Sequence, residues 1–161
     1  MLQTLRIVNY ALIEQLEISF EDGFSSITGE TGAGKSIILG ALALLMGKRA
    51  DTSALKDSSK KSVVEAVFRI KSNRIETLFA EHDIDFDHET IIRREITPQG
   101  KSRAFINDTP VQITTLKSIS EVLLDIHSHL RVIAVLISSF SVSGLAYPCL
   151  FQRTIPSGSS K

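Results

Sequence analysis

The octapeptide Gly29-Glu30-Thr31-Gly32-Ala33-Gly34-Lys35-Ser36 fits the pattern G-x-x-x-x-G-K-[ST] at every fixed position, and it constrains the chain more than any other stretch. A polyphosphate needs converging N–H donors, a positive charge and a ligand for the accompanying Mg²⁺. Gly29, Gly32 and Gly34 let the backbone curl into an anion-binding nest and keep Cβ atoms away from the phosphate oxygens. In such a loop Lys35 reaches the β- and γ-phosphates and Ser36 places its hydroxyl on Mg²⁺. The flanks suit the motif. Residues 24–28 read as a short strand entering the loop, and residues 37–45 as a buried helix leaving it. The N-terminus of that helix adds outward N–H groups and a dipole that favours negative charge. A ligand-free glycine turn is the competing reading, and the strand–loop–helix context argues against it.

Around the loop the apolar periodicity predicts a β-rich frame. Leu16, Ile18 and Phe20 alternate with Glu17 and Ser19, so residues 14–20 form a half-buried strand, with residues 5–9 as a partner. Glu21-Asp22-Gly23 is turn chemistry leading into the strand at 24–28. Val64, Ala66, Phe68 and Ile70 give the strand at 62–70 one apolar face, and Ile75, Leu78 and Phe79 predict a short amphipathic helix over 74–82. Strand-like runs at 89–97 and 101–107 bracket Pro98-Gln99-Gly100 and form a hairpin. Beyond a turn at Asn107-Asp108, Thr114 or Thr115 caps a helix to about residue 126, striped by Leu116, Ile119, Leu123 and Ile126.

Composition narrows the partners. Eighteen basic residues balance 18 acidic ones across 161 residues, which leaves no global nucleic-acid footprint. A local basic stretch remains at 47–61, where Lys48, Arg49 and Lys56 are candidate contacts to DNA or to a second head, against the plainer reading of a solvated loop. Cys149 is the only cysteine, so no intrachain disulfide or cysteine-based metal cluster is expected, as suits a reducing cytosol. The first residues lack the basic end and long apolar core of a secretory signal.

Several separate segments together resemble one family. They are residues 5–13, Ile-Thr-Gly-Glu-Thr-Gly-Ala-Gly-Lys-Ser at 27–36, Met-Gly-Lys-Arg-Ala at 46–50, Arg-Arg-Glu-Ile at 93–96, residues 100–108, and Leu-Leu-Asp-Ile-His-Ser at 123–128. In that order they resemble the RecN family of bacterial DNA repair proteins, an SMC-like branch of the ABC-type ATPases, over residues 1–128. Two antiparallel strands ahead of the phosphate loop are also the layout of ABC-type heads. The implied fold is α/β, a P-loop NTPase forming the N-terminal lobe of an ABC/SMC-type head, incomplete by itself and carrying an antiparallel β-subdomain. The implied ligands are ATP and Mg²⁺, with Gly29 to Ser36 as the ATP site and Ser36 on the metal. The resemblance further implies DNA as a partner of the complete protein, a second head lobe, head–head dimerisation, a cytoplasmic, nucleoid-associated location and no membrane. It sets Arg49 where SMC-like heads carry an arginine near the nucleotide and the DNA surface. Arg103 falls in a family motif with no physically derived role, and reads equally as a strand residue beside inward Ala104 and Ile106.

The resemblance stops at Ser128, where the family continues into a glutamine-containing loop and this chain reads His129-Leu130-Arg131. The coiled coil, the signature motif and the acidic Walker B pair do not follow, so hydrolysis is expected only from a two-lobed head. Two other readings stay open: a self-contained P-loop kinase or NTPase using Asp125, if 122–125 were a Walker B strand, and a non-functional truncated product. His127 and His129 as a metal pair compete with plain surface histidines. Residues 132–151 carry no charge, enough length for a membrane span but diluted by serines, Gly144 and Pro148. The expectation for 129–161 is a divergent, poorly packed tail of out-of-frame character without heptads.

Overall fold

The computed structural model describes residues 1–21, 32–70 and 75–126. Among the described residues six strands build one antiparallel sheet: β1 (Leu2–Tyr10), β2 (Ile13–Ser19), β3 (Ser62–Arg69), β4 (Glu89–Ile96), β5 (Ser102–Ile106) and β6 (Thr109–Val111). Their order is β2-β1-β3-β4-β5-β6. Helices α1 (Gly32–Leu45) and α3 (Ile113–Ile126) pack on the sheet, α1 against β3, β4 and β1, α3 against β5 and α1. A short α2 (Glu76–Glu81) lies between β3 and β4 in the chain.

The period-2 pattern accounts for the sheet. Leu5 and Ile7 of β1, Val64, Ala66 and Phe68 of β3, Ile92 and Ile96 of β4, and Ala104 and Ile106 of β5 are all buried on one face. Ile38, Ala41, Leu44 and Leu45 of α1, with Leu116, Ile119 and Leu123 of α3, close that face. Turn chemistry sets the registers. Ile106 pairs with Thr109 across Asn107-Asp108, both at positive φ, the backbone a two-residue type I′ turn demands. Asn107 also ties the turn inward, its Oδ1 accepting from the Ile91 N–H at 2.9 Å. Residues 97–101 close the β4–β5 hairpin with Gly100 at φ +80°.

Strands β2, β3, β4 and β5 stand within one residue of their expected bounds, whereas β1 begins at Leu2, three residues before the expected 5–9. One expectation is corrected and one alternative reading falls. Helix α3 starts at Ile113, with the Leu116 N–H donating to the Gln112 carbonyl at 3.0 Å, so Thr114 and Thr115 lie within its first turn and cap nothing. The reason is the abrupt end of β6 at Val111, which leaves Gln112 alone to turn the chain. Helix α3 also runs unbroken through 122–125, which removes the Walker B strand reading of Asp125. The expected helix over 74–82 is shorter, Glu76–Glu81, with Ile75 and Phe79 buried and Phe79 set edge-on to Phe86 at 5.5 Å. The strand at 24–28, the histidine pair and the tail lie outside the described residues.

Candidate nucleotide-binding site

Gly32, Ala33, Gly34, Lys35 and Ser36 form the opening turns of α1; Gly29, Glu30 and Thr31 lie outside the described residues. Helix geometry directs the N–H groups of that first turn out of the helix end. The first turn of α1 carries no acidic side chain among the described residues. Lys35 is half-buried and Ser36 exposed, on adjacent positions of the same turn. The donor set fits a Mg²⁺-bound polyphosphate: backbone N–H groups, one ammonium and one hydroxyl, all hard, oxygen-seeking or oxygen-bearing groups. Among the described residues no cluster of three or more His, Cys, Asp or Glu forms a separate metal site.

What holds α1 in place is legible in two glycines. A Cβ on Gly40 would lie 2.9 Å from the Tyr10 hydroxyl, so the helix approaches the end of β1 as closely as it does because position 40 is bare. Burial raises the pKa of that phenol. At the far end Gly47, φ +84°, closes α1 with its N–H on the Leu44 carbonyl at 3.1 Å and the Lys48 N–H on the Ala43 carbonyl at 3.0 Å. That pair of bonds is a Schellman motif, which needs a residue at ease with positive φ.

Lys48 and Arg49 follow this cap. A 14-residue helix rises about 20 Å, so both stand off the end of α1 opposite the phosphate loop. Both are exposed and make no ion pair among the described residues. Lys56 is different, pairing with Glu14 at 3.5 Å; Lys60 and Lys61 likewise pair with Asp57 at 3.3 Å and Glu95 at 3.1 Å. Exposed pairs of this kind are weak, yet within the 47–61 stretch they leave Lys48 and Arg49 as the cations without an ion pair among the described residues.

The 47–61 stretch is an ordered loop, and the residue that orders it was not singled out by periodicity. Asn9 sits buried at φ +52°, its Nδ2 donating to the Asp57 and Lys60 carbonyls at 2.9 Å each and its Oδ1 accepting from the Asp57 N–H at 2.7 Å. An asparagine at an inward strand position was the available signal. Within the loop the Ser59 hydroxyl, then the Ser59 N–H and Lys60, hold the Asp57 carboxyl down to about 2. Asp51 is lowered mainly by the Ser53 N–H, with Arg49 a smaller contributor. Arg103 is exposed on β5, while its neighbours Ala104 and Ile106 face the core.

An antiparallel sheet packed against a helix that opens inside a glycine-lysine-serine motif is the construction of one lobe of an ATPase head. The family model described as the RecF/RecN/SMC N terminal domain matches residues 1–127, and the chain belongs to that family. Within it, the chain matches the N-terminal segment of DNA repair protein RecN. It is 43% identical over 129 residues to RecN of Bacillus subtilis (strain 168), covering 79% of this chain and 22% of that protein. It is 39% identical over 128 residues to RecN of Vibrio cholerae serotype O1, covering 79% and 23%. The chain therefore spans less than a quarter of the length of these curated relatives.

Solved structures agree on the fold. A chain described under ATP-driven dimerization and DNA-stimulated activation of SMC ATPases superposes with TM-score 0.59 at 21% identity, covering 86% of this chain and 99% of that one. An SMC head bound to the C-winged helix domain of ScpA gives TM-score 0.59 at 22% identity, over 73% and 39%. The recombination mediator protein RecF gives 0.57 at 20%, over 72% and 29%. Among the described residues no helix is long and apolar enough to cross a membrane.

Proposed function

We propose that this chain is the ATP-binding N-terminal lobe of a RecN-like head acting in DNA double-strand break repair and recombination, in the cytoplasm at the nucleoid. The observation that carries the reading is α1: its first turn is the second half of the phosphate loop, and its body is apolar on every side but buried by the sheet on only one. A helix of that composition is made to be covered all round. The second lobe of the head is the cover this reading assigns.

In this reading the backbone N–H groups of 29–36 cradle the phosphates, Lys35 neutralises the β/γ charge, and Ser36 orients its hydroxyl on Mg²⁺. The metal, when bound, spreads the charge that builds on the transferring phosphoryl group. The phosphate-loop residues bind and position and do not themselves align an attacking water, so binding without turnover is expected of this chain alone. Lys48 and Arg49, at the opposite end of α1, are the candidate contacts to DNA or a second head, with Lys56 behind them because Glu14 holds it.

The test is Mg²⁺-ATP affinity measured with a fluorescent ATP analogue. Lys35→Ala should weaken it about 100-fold, roughly 2.7 kcal/mol, with no change in thermal stability, and phosphate release should stay at background. Unchanged affinity in Lys35→Ala would end the reading.

A further inference from the structure

A second candidate site lies at the β5–β6 margin of the sheet. Its centre is Arg94, 1% exposed, at an inward position of β4 between Ile92 and Ile96. A guanidinium keeps its charge in a protein and carries five N–H donors. Here Nη2 donates to the Ser102 Oγ at 2.7 Å, whereas Nε and Nη1 are buried with no hydrogen-bond partner. The neighbouring Arg93, on the outer face, also has an Nε without a hydrogen bond, but its charge is paired: Asp108 at 2.9 Å, Glu65 at 3.6 Å, Glu95 at 3.7 Å and the Phe105 ring at 4.7 Å. Among the described residues no carboxylate pairs with Arg94. An uncompensated buried cation is costly, and the structure keeps this one.

Ser102 connects it to the surface. Because its oxygen accepts from Arg94, its own O–H is left to donate, polarised by the charge behind it. Ser102 lines an open cleft of about 620 Å³ together with Arg103, Phe105, Pro110, Val111 and Ile113. Strand β6 pairs with β5 only at Ala104, Phe105 and Ile106, so β6 leaves the strand edge at Ser102 and Arg103 uncovered. Arg103 is exposed at the rim and makes no ion pair among the described residues. The cleft thus combines a cation-backed hydroxyl donor, a second cation, apolar walls and a strand edge.

We propose that this cleft docks an acidic segment of a partner polypeptide, laid along the β5 edge with a carboxylate on the Ser102 hydroxyl and an apolar side chain against Val111 and Ile113 on the inner side, while Phe105 and the Arg103 guanidinium, on the outer side of the same edge, receive the alternate side chains and add positive charge. The edge and the apolar walls choose a peptide over a nucleic-acid phosphate, since a phosphate backbone uses neither.

The probes are a terminally blocked heptapeptide with one central glutamate between valines, its glutamine twin, and a deoxythymidine dodecamer. The readout is ¹⁵N NMR of the full 161-residue chain. The glutamate peptide is expected to shift the Ser102 and Arg103 amides and the Arg94 Nε–H signal, and to bind at least tenfold more tightly than the twin. Ser102→Ala and Arg103→Gln should each lower its affinity at least fivefold with the melting temperature unchanged. Arg94→Met removes a buried group and puts folding at risk, so the two surface variants carry the decision. Equal binding of the twins, shifts confined to other residues, or preference of the same amides for the oligonucleotide would overturn the proposal.

Discussion

Helices α1 and α3 are each 14 residues long and lie on the same face of one sheet. In α3 the stripe Leu116, Ile119, Leu123 is wholly buried, and Lys117, Ser118 and Glu121 face outward, Lys117 pairing with Glu121 at 3.7 Å. In α1 no charged or polar side chain appears from Ile37 to Leu45; Ile38, Ala41, Leu44 and Leu45 are buried, but Ile37, Leu39, Leu42 and Ala43 are only half covered. The sheet covers the described stripe of α3, as far as Leu123. It meets half of what α1 requires, and the same helix carries the phosphate loop at its start. Under the function proposed above, the half-covered side of α1 is the side that a second lobe would cover.

That comparison can be broken by substitution, beginning with the largest effect. Leu123→Ala in the finished helix should cost about 3 kcal/mol, a cavity in a closed core, read as a lowered urea midpoint of the 161-residue chain. Gly47→Ala, where the cap of α1 meets α3, should cost about 1–2 kcal/mol. The new methyl would sit at φ +84° and 3.0 Å from the Lys117 Cβ. Leu39→Ala, on the half-covered side of α1, should cost only about 1 kcal/mol. A loss matching that of Leu123→Ala would mean this chain already closes both sides of α1.

The smallest effect concerns the loop beyond α1. The Asp57 carboxyl, held down to about 2 by Ser59 and then Lys60, lies below the ordinary carboxylate range. Its contribution is therefore present above about pH 4 and lost as pH falls toward 2. An NMR titration should place its midpoint near 2, and Ser59→Ala should move it up. A midpoint already in the ordinary range would show that the loop is not held as described.

Much of the frame was legible from periodicity because the signals are local. Leu16 and Ile18, or Val64, Ala66 and Phe68, alternate cleanly, and each takes one side of its strand. Strand β4 does not alternate cleanly: Ile91 and Ile92 are adjacent, as are Arg93 and Arg94, so the sequence offers either arginine to the core. Register decides it. Arg94 stands opposite Val64 and Ala104 and goes inward, while Arg93 opposite Glu65 and Phe105 stays out with its acids. Asn9 was hidden for a related reason, since its partners at 57 and 60 are about fifty residues away in the chain.

The sequence alone determined the phosphate-loop motif, the helix behind it, the strand periods and the membership these features imply, because each is written within a few consecutive residues. Tertiary structure decided that β1 lies between β2 and β3, that Lys56 is held by Glu14 while Lys48 and Arg49 are not, and that Arg94 is the buried arginine. These outcomes depend on which distant strand supplies the neighbouring row of side chains. A one-residue change of register exchanges the two faces of a strand, so the pairing partner, and no local pattern, sets what each residue meets.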